Sequence, residues 1–480
     1  MISLKQSANS GIKWSLTSQF SRQGMQFATT IILARLLAPS DFGLKGMAMV
    51  VIGFVFLFKD LGTSAAIIQR KHLSEEFLSS IFWVNVVFGF FATGVLFMSA
   101  PVIASFYREP RVTPILGVLS LTFLISGFSI LHQAILQRNL AFNKLAKVEI
   151  GSIIAGSVIG IGAALLGAGV WSLVYQTLAV AAMTTILLWT SSSWRPKLVF
   201  HWTEVKSVSS YSLNLTGFNI FNYFSRNADN LLIGRFLGAQ ALGYYALAYR
   251  IMLLPLQNIS YMVGRVMFPV YSQIQDDDSR FRRVYLKAAS AIALVTFPLM
   301  LGLMGASKLF VLTVFGAQWA PVILLLIVLA PVGLIQSIST TAGSIYQAKG
   351  YTNWMLRWGL VSGSLTVIAF AVGLQWGVVG VAVAYAITSI TLTPPTFAIP
   401  FRLINLRLRD LGFVLWRPFL NSSLMLIVLL SLRSVLPIDL PEELALAVLV
   451  PAGAVTYLLA SWMIDRSHVR QVLDMAGMRV

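Results

Sequence analysis

The chain has 480 residues, of which 57% are hydrophobic and only 11% are charged, whereas soluble globular domains are about 25% charged. This composition predicts one integral membrane unit and excludes a soluble core of any size. The formal net charge is +18, and the absence of cysteine excludes disulfide frameworks, thiolate metal sites and cysteine nucleophiles.

Apolar runs of about twenty residues recur along the whole chain, with glycine, proline and charged residues between them. The N-terminal residues lack the compact apolar core and cleavage site of a signal peptide, so we expect the first span to be retained. The predicted spans of the first half lie near residues 12–38, 41–67, 77–104, 113–136, 144–167 and 169–190. Those of the second half lie near 207–238, 241–270, 284–312, 320–347, 353–375 and 377–400, with two last spans near 413–436 and 444–464.

These spans predict an all-α integral membrane fold of about fourteen transmembrane helices. A basic connector follows the sixth span, and a second one follows the twelfth. The predicted organisation is an N-terminal six-helix lobe at 1–192, a cytoplasmic connector at 193–206, a C-terminal six-helix lobe at 207–400, a second cytoplasmic connector at 401–412, and a segment at 413–480 with two extra helices and a cytoplasmic tail.

Basic residues are unequally shared between the two sets of loops that these spans create. Most of the 35 Lys and Arg residues fall on one side, including Arg195, Lys197 and Arg407 of the connectors, whereas few, such as Arg108, fall on the other. Because cytoplasmic loops carry an excess of Lys and Arg, this asymmetry predicts that both termini are cytoplasmic.

Two stretches of the first half recur in the second half in the same order. The matches pair residues 31–43 with 231–243 and residues 135–145 with 345–355. The first match has an offset of 200 and places Gly43 opposite Gly243. Both copies begin with a span predicted to run outward, so the lobes are expected to be parallel repeats related by an axis along the membrane normal.

An arginine lies in the middle of the first predicted span, where it costs roughly 2.5–3.5 kcal/mol unless it faces water or a partner. Polar residues recur around it at helical spacing and form one face, namely Ser15, Ser18, Arg22, Gln26 and Thr29. The repeat-related seventh span carries a similar face, formed by Asn219, Asn222, Arg226 and Asp229. The pattern therefore repeats in both halves.

The second helix of each half adds further charged residues, Lys59 and Asp60 in the first half and Arg250 and Arg265 in the second. We predict a cavity lined mainly by cations and amides, with substrate-binding candidates Arg22, Gln26, Lys59, Asn219, Asn222, Arg226, Arg250 and Arg265. The two acids Asp60 and Asp229 are candidates for an ion pair or for coupling. Guanidinium groups bind phosphate bidentately, and such a lining suits an anion that carries hydroxyl groups.

Structural roles stay open for these residues. Arg22 or Arg226 could tie helices together by bonding backbone carbonyls or an acid such as Asp229, and Lys59 and Arg265 could extend to lipid headgroups. The scattered histidines do not suggest a zinc site, and we expect neither a metal nor another cofactor. Aspartates 276–278 are expected to cap the following helix, and the glycines of "GSVIG" (156–160) to pack helices.

Several segments of the chain resemble the Wzx-type polysaccharide exporters of the multidrug/oligosaccharidyl-lipid/polysaccharide (MOP) exporter superfamily, nearest the colanic acid and teichuronic acid branch. The segments in the first half are ARLLAPSDFGLKGMAMVV (34–51), FKDLGTSAAIIQRKHLS (58–74), SSIFWVN (79–85), FYREP (106–110), ILQRNLAFNKLAKVEI (135–150) and GAGVWSLVYQ (167–176). In the second half the resemblance is carried by NLLIGRFLGAQALGYYALAYRI (230–251), and little matches beyond about residue 410.

The resemblance implies a MATE-like architecture and a flippase in the bacterial inner membrane, not an enzyme. It would move undecaprenyl-diphosphate-linked oligosaccharide from the cytoplasmic to the periplasmic leaflet by alternating access, for capsule, exopolysaccharide or lipopolysaccharide synthesis. The expected partners are this substrate and membrane lipids; a polysaccharide polymerase and a chain-length regulator could join them, and no nucleic acid is expected. The resemblance includes no universal catalytic motif, so the site residues rest on the polar faces.

Three other functions compete with this interpretation. A lipid II-type flippase would share the cationic cavity, and the residues alone do not separate it from a polysaccharide flippase. A cation or drug antiporter of the same superfamily should expose acids, but basic residues outnumber Asp60 and Asp229 within the spans. A membrane glycosyltransferase or polymerase needs catalytic residues on sizeable outer loops, and the predicted outer loops are short.

Overall fold

The computed structural model describes residues 4–58, 67, 70, 73–209, 213–437 and 440–464, and within these ranges it contains helices and no strand. The chain folds into two compact units, Met1–Gly243 and Tyr244–Val480. The division lies inside Leu213–Pro255, which consists of two helical parts joined by a kink at Gly238, where φ is 83°. The lobe and connector boundaries drawn from the sequence stay a prediction.

Among its described residues, the first unit contains eight complete helices and the first part of a ninth. They are α1 (Leu4–Leu36), α2 (Pro39–Phe56), α3 (Glu75–Tyr107), α4 (Val112–Gly127), α5 (Ile130–Arg138), α6 (Phe142–Leu165), α7 (Val170–Ser191), α8 (Trp202–Ser209) and α9 (Leu213–Pro255). The helices of the second unit are α10 (Tyr261–Gln273), α11 (Asp278–Val314), α12 (Pro321–Ser339), α13 (Ala342–Ala348), α14 (Thr352–Gly373), α15 (Gly377–Phe401), α16 (Leu408–Val435) and α17 (Glu442–Ile464).

Ten helical segments of the described chain are long and apolar enough to cross a membrane, or eleven if the bent pair α4–α5 is one span. The protein is therefore a multi-pass membrane protein, although the predicted number of fourteen spans is not confirmed. One of the ten, Thr352–Ile404, has 53 residues and as a single straight helix would measure roughly 80 Å, against a hydrocarbon core of about 30 Å. It is divided into α14 and α15 at Gly377, where φ is 68°.

Polar residues at helix starts satisfy the free backbone N–H groups there. The Ser74 hydroxyl accepts a hydrogen bond from the Phe77 N–H at 3.1 Å at the start of α3. At the start of α11 the Asp277 carboxylate accepts one from the Arg280 N–H at 2.9 Å. The capping role predicted for the aspartate run is thus confirmed at Asp277.

Small residues bring α6 and α7 into close contact. A Cβ added at Gly156 would lie 2.3 Å from Val180 Cγ2, and one at Gly160 would lie 2.9 Å from Gln176 Cβ. In a membrane, helices associate through such close packing because lipid supplies no hydrophobic drive between them. The packing role predicted for these two glycines is confirmed.

The α2 helix crosses the part of α9 that belongs to the first unit, and the contacts are reciprocal. A Cβ at Gly43 would lie 1.7 Å from the Ala239 carbonyl oxygen, and one at Gly243 would lie 1.9 Å from the Pro39 carbonyl oxygen. The offset of 200 pairs residue 39 with 239 and residue 43 with 243. Contacts in which i meets j′ and j meets i′ are what a two-fold axis produces, and this pattern supports the repeat found in the sequence.

An arginine at the end of α5 contacts the segment that precedes α3 in the first unit. Arg138 donates hydrogen bonds to the backbone carbonyls of Ile67 and Arg70. Arg70 in turn pairs with Glu204 at 2.8 Å and lies over the ring of Phe77, 4.2 Å from its centroid. This network ties the residues between α2 and α3 to the connector helix α8.

The second unit has a comparable arrangement at the end of α13. Lys349 pairs with Asp278 at 2.6 Å, donates to the Gln275 carbonyl and lies 5.7 Å from the centroid of the Phe281 ring. Asp278 also accepts a hydrogen bond from the Asn405 amide at 2.9 Å. Arg138 and Lys349 both lie inside the second sequence match, residues 135–145 and 345–355, one position out of register. Each contacts residues close to the start of a long helix.

The last two helices pack against α11 in the second unit. The Tyr457 hydroxyl of α17 donates to the Leu294 carbonyl of α11 at 2.7 Å. A groove of about 520 Å³ among α11, α16 and α17 is lined by aliphatic residues such as Leu299, Leu429 and Val450. Its lining suits hydrocarbon chains and offers nothing to a phosphate.

Candidate functional site

The polar face of α1 is partly used to attach α1 to α6. The buried Ser18 hydroxyl donates to Oε2 of Glu149 at 2.6 Å, and the Thr29 and Ser157 hydroxyls are hydrogen-bonded at 2.7 Å. Residue numbers rise along both helices from one bond to the next, so the two helices run parallel here. Two members of the predicted face therefore serve helix packing.

Arg22 and Gln26 lie between these two hydrogen bonds along α1. Arg22 is half-buried and Gln26 is exposed. Neither side chain has a hydrogen-bond or ion-pair partner among the described residues, although the Gln26 carbonyl accepts a hydrogen bond from the Thr30 hydroxyl at 2.7 Å. A half-buried arginine in this position leaves its guanidinium donors available to a ligand.

The α9 face combines exposed groups with a buried acid. Asn222 and Arg226 are exposed, whereas Asp229 is buried. Oδ1 of Asp229 accepts a hydrogen bond from the N–H of Asn230 at 2.7 Å. Next to this face the Tyr223 hydroxyl donates to the Val50 carbonyl of α2 at 2.5 Å. Arg226 and Asn222 therefore share one exposed side of α9 in the first unit.

The remaining candidates are placed only in part. Arg250 lies on the section of α9 in the second unit, and its side chain is exposed, with no hydrogen-bond or ion-pair partner among the described residues. Asn219 and Arg265 lie on α9 and α10, but their side chains fall outside the described part. Lys59 and Asp60 lie outside the described residues altogether.

Glu149 is a candidate site residue that the sequence analysis missed. It lies in α6, a helix apolar enough to span a membrane, and faces Ser18 of the arginine-bearing helix. The signal was present in the sequence, because an acid inside an apolar run is as costly as the arginine that drew attention to α1.

A profile of the family described as polysaccharide biosynthesis protein matches residues 32–324 of this chain. The chain belongs to this family. The family assignment confirms the resemblance to polysaccharide exporters that was drawn from the sequence segments.

Three relatives match over nearly their whole length. The teichuronic acid biosynthesis protein TuaB of Bacillus subtilis is 32% identical over 95% of this chain and 96% of its own length. The lipopolysaccharide biosynthesis protein WzxC of Escherichia coli is 29% identical over 91% and 89%. The succinoglycan biosynthesis transport protein ExoT of Rhizobium meliloti is 28% identical over 98% and 95%.

Solved structures with the same fold include the lipid II flippase MurJ in an inward closed conformation. Its TM-score is 0.76 at 17% identity, over 96% of this chain and all of that one. An inward-facing multidrug resistance transporter of the MATE family has a TM-score of 0.65 at 17% identity, over 80% of this chain and 94% of that one. The predicted MATE-like, all-α fold class is confirmed.

Proposed function

We propose that this protein is a flippase that moves undecaprenyl-diphosphate-linked oligosaccharide from the cytoplasmic to the periplasmic leaflet for surface polysaccharide synthesis. The observation that carries the proposal is Arg22, a half-buried arginine without a partner among the described side chains, on a helix whose neighbouring polar residues are engaged with α6. The family and the transport function in the name of ExoT support the proposal.

The chemistry of the substrate explains why cations and amides are needed. A diphosphate and many sugar hydroxyls must pass a hydrocarbon core about 30 Å thick, where unpaired polar groups are costly. Arg22 and Arg226 are the proposed phosphate contacts in the first unit, and Gln26, Asn222 and Asn219 are the proposed hydroxyl contacts. Arginine suits the diphosphate because its planar donors fit a phosphate bidentately.

Other candidates extend the proposal. Arg250, Arg265 and Lys59 are proposed as further substrate contacts, and Asp229 and Asp60 as members of an ion pair or a coupling site.

We place the protein in the bacterial inner membrane with both termini cytoplasmic, as the basic connectors favour. The proposed protein partners are a polymerase and a chain-length regulator of the same pathway. The proposed function requires no catalytic residue.

Transport by purified protein tests the proposal. The protein is reconstituted in proteoliposomes with a fluorescent undecaprenyl-diphosphate-linked oligosaccharide, and the label on the far leaflet is measured with a membrane-impermeant quencher. Arg22→Ala and Arg226→Ala should each lower the rate at least tenfold, and Arg→Lys should be intermediate because lysine binds phosphate as a point charge. Arg409→Ala, which removes an exposed arginine of the second connector, is the matched control and should transport normally.

The same assay separates the competing functions. Full transport by the Arg22→Ala/Arg226→Ala double variant would contradict the proposed substrate path. Transport of lipid II in preference to the oligosaccharide would instead favour the lipid II-type flippase. Release of free sugar or extension of the glycan would indicate an enzyme of the same pathway.

A further inference from the structure

Glu149 carries an acid into α6, a helix long and apolar enough to cross a membrane. An ionised carboxylate in that position is costly unless it meets water or a partner. Its Oε2 accepts the Ser18 hydroxyl at 2.6 Å, and no ion pair of Glu149 is found within the described ranges of the chain. A serine hydroxyl contributes a hydrogen bond but leaves the negative charge uncompensated.

Arg22 lies on the same helix as Ser18, the residue that contacts this carboxylate. It follows Ser18 by one helical turn, about 6 Å along the axis of α1 and about 40° around it. Because side chains on a helix lean toward its N-terminus, the Arg22 guanidinium leans back toward the level of Ser18 and Glu149. Arg22 therefore lies about one turn of α1 from the serine that holds the Glu149 carboxylate, and Arg22 and Glu149 form no ion pair with each other in the described structure.

We propose that Glu149 is a counter-ion that competes with the anionic substrate for Arg22, and that Ser18 holds it aside while the substrate is bound. This inference rests on the proposed function, in which Arg22 binds the diphosphate. When the diphosphate leaves, the carboxylate takes its place at the guanidinium. Glu149 is thus a positioning residue: it weakens substrate binding and speeds release, because only binding that differs between steps of a cycle helps turnover.

The size of the effect follows from the charge separation. A carboxylate acting across one helical turn, about 6 Å, at an effective dielectric constant of about 20, changes the affinity for an anion on the order of tenfold or more. Neutralising Glu149 should therefore strengthen substrate binding, which is the opposite of what the loss of an ordinary binding residue would do.

Binding of undecaprenyl diphosphate to the full chain in nanodiscs tests the proposal. Glu149→Gln should lower the Kd about tenfold and, in the transport assay, lower both KM and kcat. Ser18→Ala should act in the other direction and weaken binding, because it frees the carboxylate to approach Arg22. Glu76→Gln, which neutralises an exposed acid at the start of α3, is the matched control and should bind as the wild type does.

The outcomes distinguish this inference from the proposed function. If the wild type binds undecaprenyl diphosphate no better than undecaprenol, or if Arg22→Ala binds as tightly as the wild type, the proposed function fails. If binding depends on Arg22 but Glu149→Gln leaves the Kd unchanged or raises it, the counter-ion proposal alone is overturned. In an Arg22→Ala background the effect of Glu149→Gln should fall below about twofold, and a persisting tenfold change would contradict action through Arg22.

Discussion

Gly43 and Gly243 hold the same position in the two copies of the repeat, and they lie in contact, since a Cβ added at Gly243 would come 3.3 Å from the Gly43 backbone nitrogen. Each glycine also faces a carbonyl oxygen of the other helix, on Ala239 and Pro39. Close backbone contact of this kind is possible only with small residues. The crossing of α2 and α9 is therefore sensitive to a single methyl group.

Substitution of Gly43 by alanine should lower the stability of the protein. The new Cβ would overlap the Ala239 carbonyl, and relief of such an overlap typically costs about 1–3 kcal/mol. Thermal unfolding in detergent measures the effect. Gly162→Ala is the matched control, because a Cβ at Gly162 of α6 meets nothing within 4 Å and alanine favours a helix by about 0.5–1 kcal/mol. Equal melting temperatures for the two variants would contradict the close contact between α2 and α9 at Gly43.

Replacement of Lys349 by methionine should destabilise the second unit. The change removes the 2.6 Å pair with Asp278 and the hydrogen bond to the Gln275 carbonyl, a loss of about 1.5–3 kcal/mol for bonds to a charged group. Chemical or thermal unfolding in detergent should show the loss. Lys147→Met, at an exposed lysine of α6, should change little. A similar loss of stability in both variants would show that the Lys349 contacts make no specific contribution.

Replacement of the buried His132 by an apolar residue should not destabilise the protein. His132 is fully buried, and in the described structure neither ring nitrogen has a hydrogen-bond partner. Its ring packs against Trp189, with 4.7 Å between the ring centroids. Because no hydrogen bond is lost, His132→Leu should keep or raise the melting temperature.

A contrasting variant checks the aromatic packing around His132. Trp189→Ala removes a large side chain whose Nε1 donates to the Phe128 carbonyl at 2.8 Å, and it should cost about 3–5 kcal/mol. A strong loss of stability in His132→Leu as well would mean that the imidazole has a partner, such as a buried water molecule.

Cysteines introduced into this cysteine-free chain should report its orientation. Leu198 is 90% exposed in the segment between α7 and α8, and Arg108 is exposed between α3 and α4. With both termini cytoplasmic, as the basic connectors predict, Leu198→Cys should react with an impermeant maleimide only from the cytoplasm. Arg108→Cys should react only from the outside. The reverse pattern would overturn the proposed orientation.

The membrane class, the repeat and the arginine-bearing helices could be read from the sequence, because each depends on local composition or spacing. Burial of about twenty apolar residues at a time is dictated by the thickness of the bilayer. The equivalence of Gly43 and Gly243 likewise follows from alignment of the chain with itself. The turn inside the apolar stretch 352–404 can also be read from the sequence, because the predicted spans end at 375 and resume at 377, and the structure turns at Gly377.

Only the tertiary structure decided which polar residues are used for packing. Ser18 and Thr29 share a face with Arg22 and Gln26, yet the first two bond to α6 while the side chains of the other two have no partner among the described residues. Helical spacing determines the face on which a residue lies, but the partner depends on which helix approaches that face. For that reason the contact between Glu149 and Ser18 depends on the position of α6 beside α1. The two-fold contact of the glycines likewise depends on the crossing of α2 and α9.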